Sequence, residues 1–191
     1  TPAKWLMVCE TALQHDPDVL VLTETGNDNS PGTLQWITRK LRPRDTITTT
    51  NVHTHFNDLP YQIISSEGSV EGERGGIVTL IHNRWRHRRV GKVIHDTHKR
   101  WLALDIRTPL GRTTIIAAYM KHSPGSNPAI LKEWDELIDF IVHRQIVKKR
   151  RVILLGDLNI SRNTPQTRSV VANHCIQEEI LHRLDSVGGL T

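Results

Sequence analysis

Apolar side chains recur near the start of the chain at Trp5, Val8, Cys9, Ala12 and Leu13. This is the i, i+3, i+4, i+7, i+8 spacing of an amphipathic helix, so the pattern predicts a helix over Ala3 to Asp16, stopped by Pro17. The period then changes. Asp18 to Thr23 has a continuous apolar centre, Val19 to Leu22, as in a strand buried on both faces. Ser30 and Pro31 form an N-cap and first-turn pair, opening a second helix that would bury Leu34, Ile37 and Leu41. Residues 42 to 74 are polar, and only a short extended piece around Tyr61 to Ile64 is predicted there.

Gly75-Gly76 introduces an apolar strand, Ile77 to Ile81. Trp101 to Arg107 alternates, which predicts Leu102, Leu104 and Ile106 inward and Ala103, Asp105 and Arg107 outward. Pro109 to Arg112 turns that strand into the next, Thr113 to Tyr119. Asn127-Pro128 is a second cap and first-turn pair, before a helix with Leu131, Trp134, Ile138, Ile141 and Val142 on one stripe. The basic run Lys148 to Arg151 ends that helix and leads into VILLGDLN, Val152 to Asn159, predicted as a buried strand. Thr164-Pro165 opens a weaker helix carrying Ile176, Ile180 and Leu184, ending near Gly188-Gly189. Strands alternating with helices, plus one antiparallel hairpin, predict an α/β fold with mixed sheets. No repeat or linker divides the 191 residues, so one domain is expected.

Composition narrows the function classes. Hydrophobic content of 37% and charged content of 24% argue against disorder, and no apolar run approaches the ~18 residues of a membrane span. The formal charge of +5 favours polyanionic partners. Cys9 and Cys175, each within a predicted helix, form neither a disulfide framework nor a zinc pattern, which points to a reduced intracellular setting. The chain opens on Thr1-Pro2 with no secretory signal, and an excerpt of a longer protein is expected.

Three apolar strands end in chemistry-bearing residues: Thr23-Glu24-Thr25, Tyr119, and Gly156-Asp157-Leu158-Asn159. Polar groups at such strand ends sit at the rim where α/β folds tend to place ligands. Strand alternation puts Asp157 and Asn159 on one face and Leu158 on the other. Glu24 suits Mg²⁺, a hard cation that keeps several waters, with Mn²⁺ as an alternative. Asp157 could orient and deprotonate an attacking water, while Asn159 and Tyr119 donate to charge developing on a phosphate. Singly, each has a plainer explanation: a loop carboxylate, a half-buried packing phenol, an Asx-turn after a strand. Their order and strand context favour a joint site.

These residues resemble the endonuclease/exonuclease/phosphatase family, especially the apurinic-type endonuclease domains of non-LTR retrotransposons. Asp18 to Thr25 is similar to the strand carrying the family's metal-binding Glu, Gly75 to Ile81 to its Gly-Gly strand, Arg100 to Tyr119 to its central hairpin, and Gly156 to Asn159 to its Gly-Asp-Phe-Asn. The resemblance implies a two-sheet, four-layer α/β sandwich of the DNase I-like type, incomplete at its N- and C-terminal strands. It also implies Glu24 as metal ligand, with Asp157, Asn159 and Tyr119 as catalytic residues. Implied with it are metal-dependent nicking of DNA for a retroelement, RNA as an alternative substrate, and an intracellular, nuclear location. Lys121, His122 and Arg74 are the candidate nucleic-acid contacts.

The departures matter equally. The family continues its Tyr as Ala-Pro-Asn, whereas Met120-Lys121-His122 follows Tyr119, and no Ser-Asp-His occurs in the sequence. In the family that His contacts the scissile phosphate, so the 191-residue piece alone is expected to be weak or inactive. The alternative is an inactive relative acting as a structural or binding module. Arg84 to Arg89 and Lys148 to Arg151 could line a phosphate backbone or form a solvated loop and a helix end.

Overall fold

The helix predicted at the start runs over Pro2–His15 (α1), and the strand after it over Val19–Thr23 (β1). The computed structural model describes residues 2–25, 37, 39–40, 60–66, 76–121, 128–160, 182–183 and 186. Most of the helix predicted from Ser30, the Asn127 cap, most of the helix after Thr164, and Arg74, Gly75, His122 and Cys175 lie outside the described residues. The chain falls into two compact units, Thr1–Arg89 and Val90–Thr191.

In the first unit, β1, β2 (Tyr61–Ser66) and β3 (Ile77–His82) form an antiparallel sheet in the order β1-β3-β2. Trp5, Cys9 and Ala12 of α1 pack with Ile37, Tyr61, Val78 and Leu80 in one cluster. The Tyr61 hydroxyl, buried beneath α1, donates to the Ala12 carbonyl at 3.0 Å. Ile77, Thr79 and Ile81, on the other face of β3, are buried as well. Two expectations need correction. Leu13 lies on the exposed side of α1, and β1 is half-buried along its whole length because it is the edge of its sheet among the described strands.

The second unit is built on the order β4-β5-β6-β7, from β4 (Arg89–His95), β5 (Trp101–Thr108), β6 (Gly111–Tyr119) and β7 (Arg151–Asp157). β5 and β6 pair antiparallel, while β6 and β7 pair parallel, as a helical crossover requires. That crossover is α2 (Pro128–Val142), continued by a π-helical turn over His143–Val147. α2 buries Trp134, Leu137, Ile138 and Ile141 against Trp101, Ala103, Ile116, Ala118 and Met120.

Ala103 and Asp105 therefore do not face solvent as the alternation suggested. α2 covers their face, and Leu102, Leu104, Ile115 and Ala117 on the opposite face are buried too. The VILLGDLN strand also departs from expectation, since β7 is the outer strand of its described sheet and Ile153 is 45% exposed. Its α2-facing residues Val152 and Leu154, and Leu158 just past the strand, pack against the core.

Candidate active site

Gly156 is where the site begins. Its φ is +128°, and a Cβ added there would lie 2.0 Å from the carbonyl oxygen of Ala118, its in-register partner on β6. No side chain fits, so glycine lets the two strands close just before the polar residues. The next register pair is Tyr119 and Asp157. By strand alternation both project from the sheet face opposite α2. Asp157 is exposed and Tyr119 half-buried.

Beyond Asp157 the strand ends in a tight turn. Asp157 Oδ1 accepts the Asn159 backbone N–H at 2.8 Å, an Asx-turn, and Asn159 takes a left-handed φ of 53°. The Asp157 carbonyl accepts the Met120 N–H at 3.0 Å, while Asn159 Nδ2 donates to the Met120 carbonyl at 2.8 Å. Both backbone groups of Met120 are thus held by residues 157 to 159. The Tyr119 N–H in turn donates to the Arg100 carbonyl at 2.8 Å. Asn159 has left the strand, so it does not simply share a strand face with Asp157 as the alternation suggested. It fastens the turn, with one amide proton used on Met120.

Lys121 follows directly and is half-buried, with Nζ 3.7 Å from Glu133 Oε1. Arg100 Nε lies 3.4 Å from Glu133 Oε2, and both these side chains are almost fully buried. Glu133 on α2 therefore anchors two cations behind the end of β6. The sequence carried a signal for it: Glu133, Leu137, Ile141 and Arg144 are spaced as one helical row, so charged residues end a buried stripe.

Glu24, in the first unit, ends β1 at the matching C-terminal position. It is exposed and holds a left-handed φ of 55°, which is uncommon outside Gly, Asn and Asp. Thr25 donates its N–H to the Gly76 carbonyl at 3.3 Å, while its hydroxyl is buried with no hydrogen-bond partner among the described residues.

The opposite end of that first sheet is a separate polar cluster. Arg84 pairs with Asp16 at 2.9 Å and with Asp18, and the Trp85 indole N–H donates to Asp18 at 2.7 Å. The Trp85 and Arg84 hydrogen bonds hold the Asp18 carboxyl below the usual range, and Arg84 does the same to Asp16. His82 Nδ1 accepts the Arg84 N–H at 3.1 Å, leaving Nε2 to face Asp16 at 3.1 Å. Burial pushes the Tyr61 phenol up to about 12. Arg84, read from sequence as either a phosphate-backbone contact or part of a solvated loop, is thus committed to two carboxylates. Arg88 lies over the Trp85 ring at 5.3 Å.

Two sheets with buried faces, flanking helices and polar residues at the strand ends define an α/β chain of the DNase I-like class. The chain belongs to the Endonuclease/Exonuclease/phosphatase family, which matches residues 6–176. Among solved structures it is similar to an AP endonuclease from Archaeoglobus fulgidus, with TM-score 0.62 and 12% identity over 96% of this chain and 65% of that one. It is also similar to the 3′ phosphatase NExo from Neisseria bound to product DNA hairpin, with TM-score 0.56 and 16% identity over 96% of this chain and 66% of that one. TDP2 from C. elegans matches with TM-score 0.54 and 15% identity over 87% of this chain and 46% of that one. The chain thus spans about two thirds or less of these structures, and at such identities the likeness is one of fold. No curated protein matches it.

Proposed function

We propose that this chain carries part of the active site of a divalent-metal-dependent phosphodiesterase that nicks DNA, with RNA as an alternative substrate. The observation that carries the reading is the Tyr119–Asp157 register pair at the end of a parallel strand pair, locked by the Gly156 contact and the Asn159 clamp. Such rigidity is what a site gains from strand-borne residues. The family match across both units supports reading them as one domain.

The donor set fits a hard cation. Glu24 is an exposed carboxylate at a strand end, and among the described residues no group of three or more His, Cys, Asp or Glu could by itself hold a metal ion. Mg²⁺ asks for few protein ligands and retains its waters, so an exposed carboxylate such as Glu24 would suit it. When bound, the ion would stabilise charge on the phosphoryl oxygens. Asp157 keeps one carboxylate oxygen for an attacking water while the other accepts the Asn159 N–H, which fixes its rotamer. Tyr119 offers a phenol and Asn159 its second amide proton to the phosphate. Lys121, held by Glu133, offers a cation beside them; Arg74 and His122 remain candidate contacts by resemblance.

The test is nicking of supercoiled plasmid and of an abasic-site duplex, with Mg²⁺, Mn²⁺ or EDTA, by this chain and by any longer polypeptide that contains it. Asp157→Asn and Glu24→Gln are each expected to lower the rate by roughly a hundredfold or more. Nicking that survives both substitutions would remove Asp157 and Glu24 from the catalytic set, and DNA binding with no nicking under any of these conditions would favour the binding-module alternative. The retroelement and nuclear part of the proposal is tested by the coding sequence around this chain, where a reverse-transcriptase region is expected.

A further inference from the structure

The end of β6 remote from Tyr119 carries an excess of positive charge that the proposed chemistry does not use. Arg107 and Arg112 are exposed and directly opposite one another on β5 and β6. Like charges in such a cross-strand pair repel, so the sheet alone gives no reason for the pairing. On the same face, two residues further in, Asp105 is buried and receives Arg144 Nη1 at 3.4 Å, the Thr114 hydroxyl at 2.7 Å, and Arg150 Nη1. One carboxylate thus faces two guanidinium groups, and the surplus stays positive. Arg151 is in register with Thr113, so the segment before it leads out past the hairpin end and places Lys148 and Lys149 in the same region.

Lys148 and Lys149 are exposed, and Lys149 takes a left-handed φ of 50° just past the helical turn, where glycine is the usual residue. Cations at a helix C-terminus do interact favourably with its dipole. That accounts for the two lysines but not for the arginine pair on the hairpin. None of Arg107, Arg112, Lys148 and Lys149 has an ion pair among the described residues.

We infer that this end of the second sheet, presented by Arg107, Arg112, Lys148 and Lys149, is a nucleic-acid backbone-binding surface separate from the cleavage site. β6 has nine residues, so the two ends lie roughly 26 Å apart at about 3.3 Å per residue. A strand held at the hairpin end is therefore a different stretch of nucleic acid from the one meeting Asp157. Phosphate is the matching chemistry, because flexible cations without base-reading partners fix backbone and not sequence. The inference extends the nucleic-acid reading above but does not require cleavage.

The experiment is binding of a fluorescent 30-base-pair duplex in EDTA, over a range of salt, by the full chain. The quadruple variant Arg107→Gln, Arg112→Gln, Lys148→Gln, Lys149→Gln is expected to bind at least about tenfold more weakly and to lower the slope of log affinity against log salt by about 3, near 0.9 for each phosphate no longer neutralised. The variant with lysine at both arginine positions should keep the parent slope, which separates lost charge from lost fold. Cleavage is read separately, as nicking by Asp157→Asn in Mg²⁺, so the two proposals fail independently. An unchanged slope in the quadruple variant overturns the inference. So does a loss confined to anionic phosphatidylserine vesicles, which would assign the exposed Ile146 and Val147 beside the lysines to a lipid surface.

Discussion

The two ends of β6 each have a glycine with positive φ, and the glycines differ completely in surroundings. At Gly156, beside the Ala118 end, a Cβ would overlap a backbone carbonyl, whereas at Gly111 it would meet nothing within 4 Å. The first glycine serves packing between strands and the second serves only a turn. The charge follows the same division. The Asp157 end is a close-fitted turn with few polar atoms, each placed by the backbone; the Gly111 end is an open hairpin with a surplus of arginine. Precise placement suits chemistry at a phosphate, and loose cationic cover suits holding a backbone.

The largest effect expected from this contrast is at Gly156. Gly156→Ala must separate β6 from β7 and strain φ, and a loss of about 3 kcal/mol or more is expected in urea unfolding. Gly111→Ala meets only the φ penalty, about 1 kcal/mol. Equal losses at both positions would remove the distinction. Comparable with the Gly156 loss is that of Asp105→Ala, which leaves Arg144 and Arg150 without their shared carboxylate in a mostly buried setting, for about 3 kcal/mol.

Asn159 gives a smaller test of the same turn. Asn159→Gly relieves the left-handed φ but loses the bond to Met120, while Asn159→Ala loses the bond and keeps the strain. The alanine variant should be the less stable by about 1 kcal/mol, read from the difference in unfolding midpoints. If the two variants match, the backbone of this turn is not the constraint described.

How much of the molecule is legible in its sequence depends on whether a residue's neighbours are local. The α1 helix, the β5–β6 hairpin and α2 are set by short-range periodicity, and all three stand near their expected bounds. The turn at Asp157 and Asn159 is local, so the sequence offers it as the plainer alternative, but the strand expected through Asn159 stops at Asp157. β4 escapes the sequence pattern because Arg89, Gly91 and Lys92 hide its period, as charged residues do on an edge strand. The apolar runs of β1 and β7 suggest full burial, yet sheet order decides burial, and order is a long-range property. Glu133, Arg100 and Asp105 are not expected in the interior because a charged residue reads as solvated until its partner, far away in sequence, is known.

The smallest effect concerns charge in two settings, buried at Asp105 and exposed at the Asp16 and Asp18 pair. Asp16 and Asp18 are more than half exposed, so their pairing with Arg84 is screened by water and salt. Both carboxyls are held below their ordinary value, so in the folded chain they give up protons more readily than in the unfolded one. Their contribution is then complete above the unfolded carboxylate range near pH 4 and is lost as pH falls through the depressed folded values. Asp16→Asn with Asp18→Asn should therefore lower the melting temperature slightly at pH 7 and by less as pH falls below the ordinary carboxylate range. Added salt should shrink the pH 7 difference. A difference that persists undiminished in 1 M salt would mean that the indole and guanidinium hydrogen bonds, and not exposed charge, hold this end of the first sheet together.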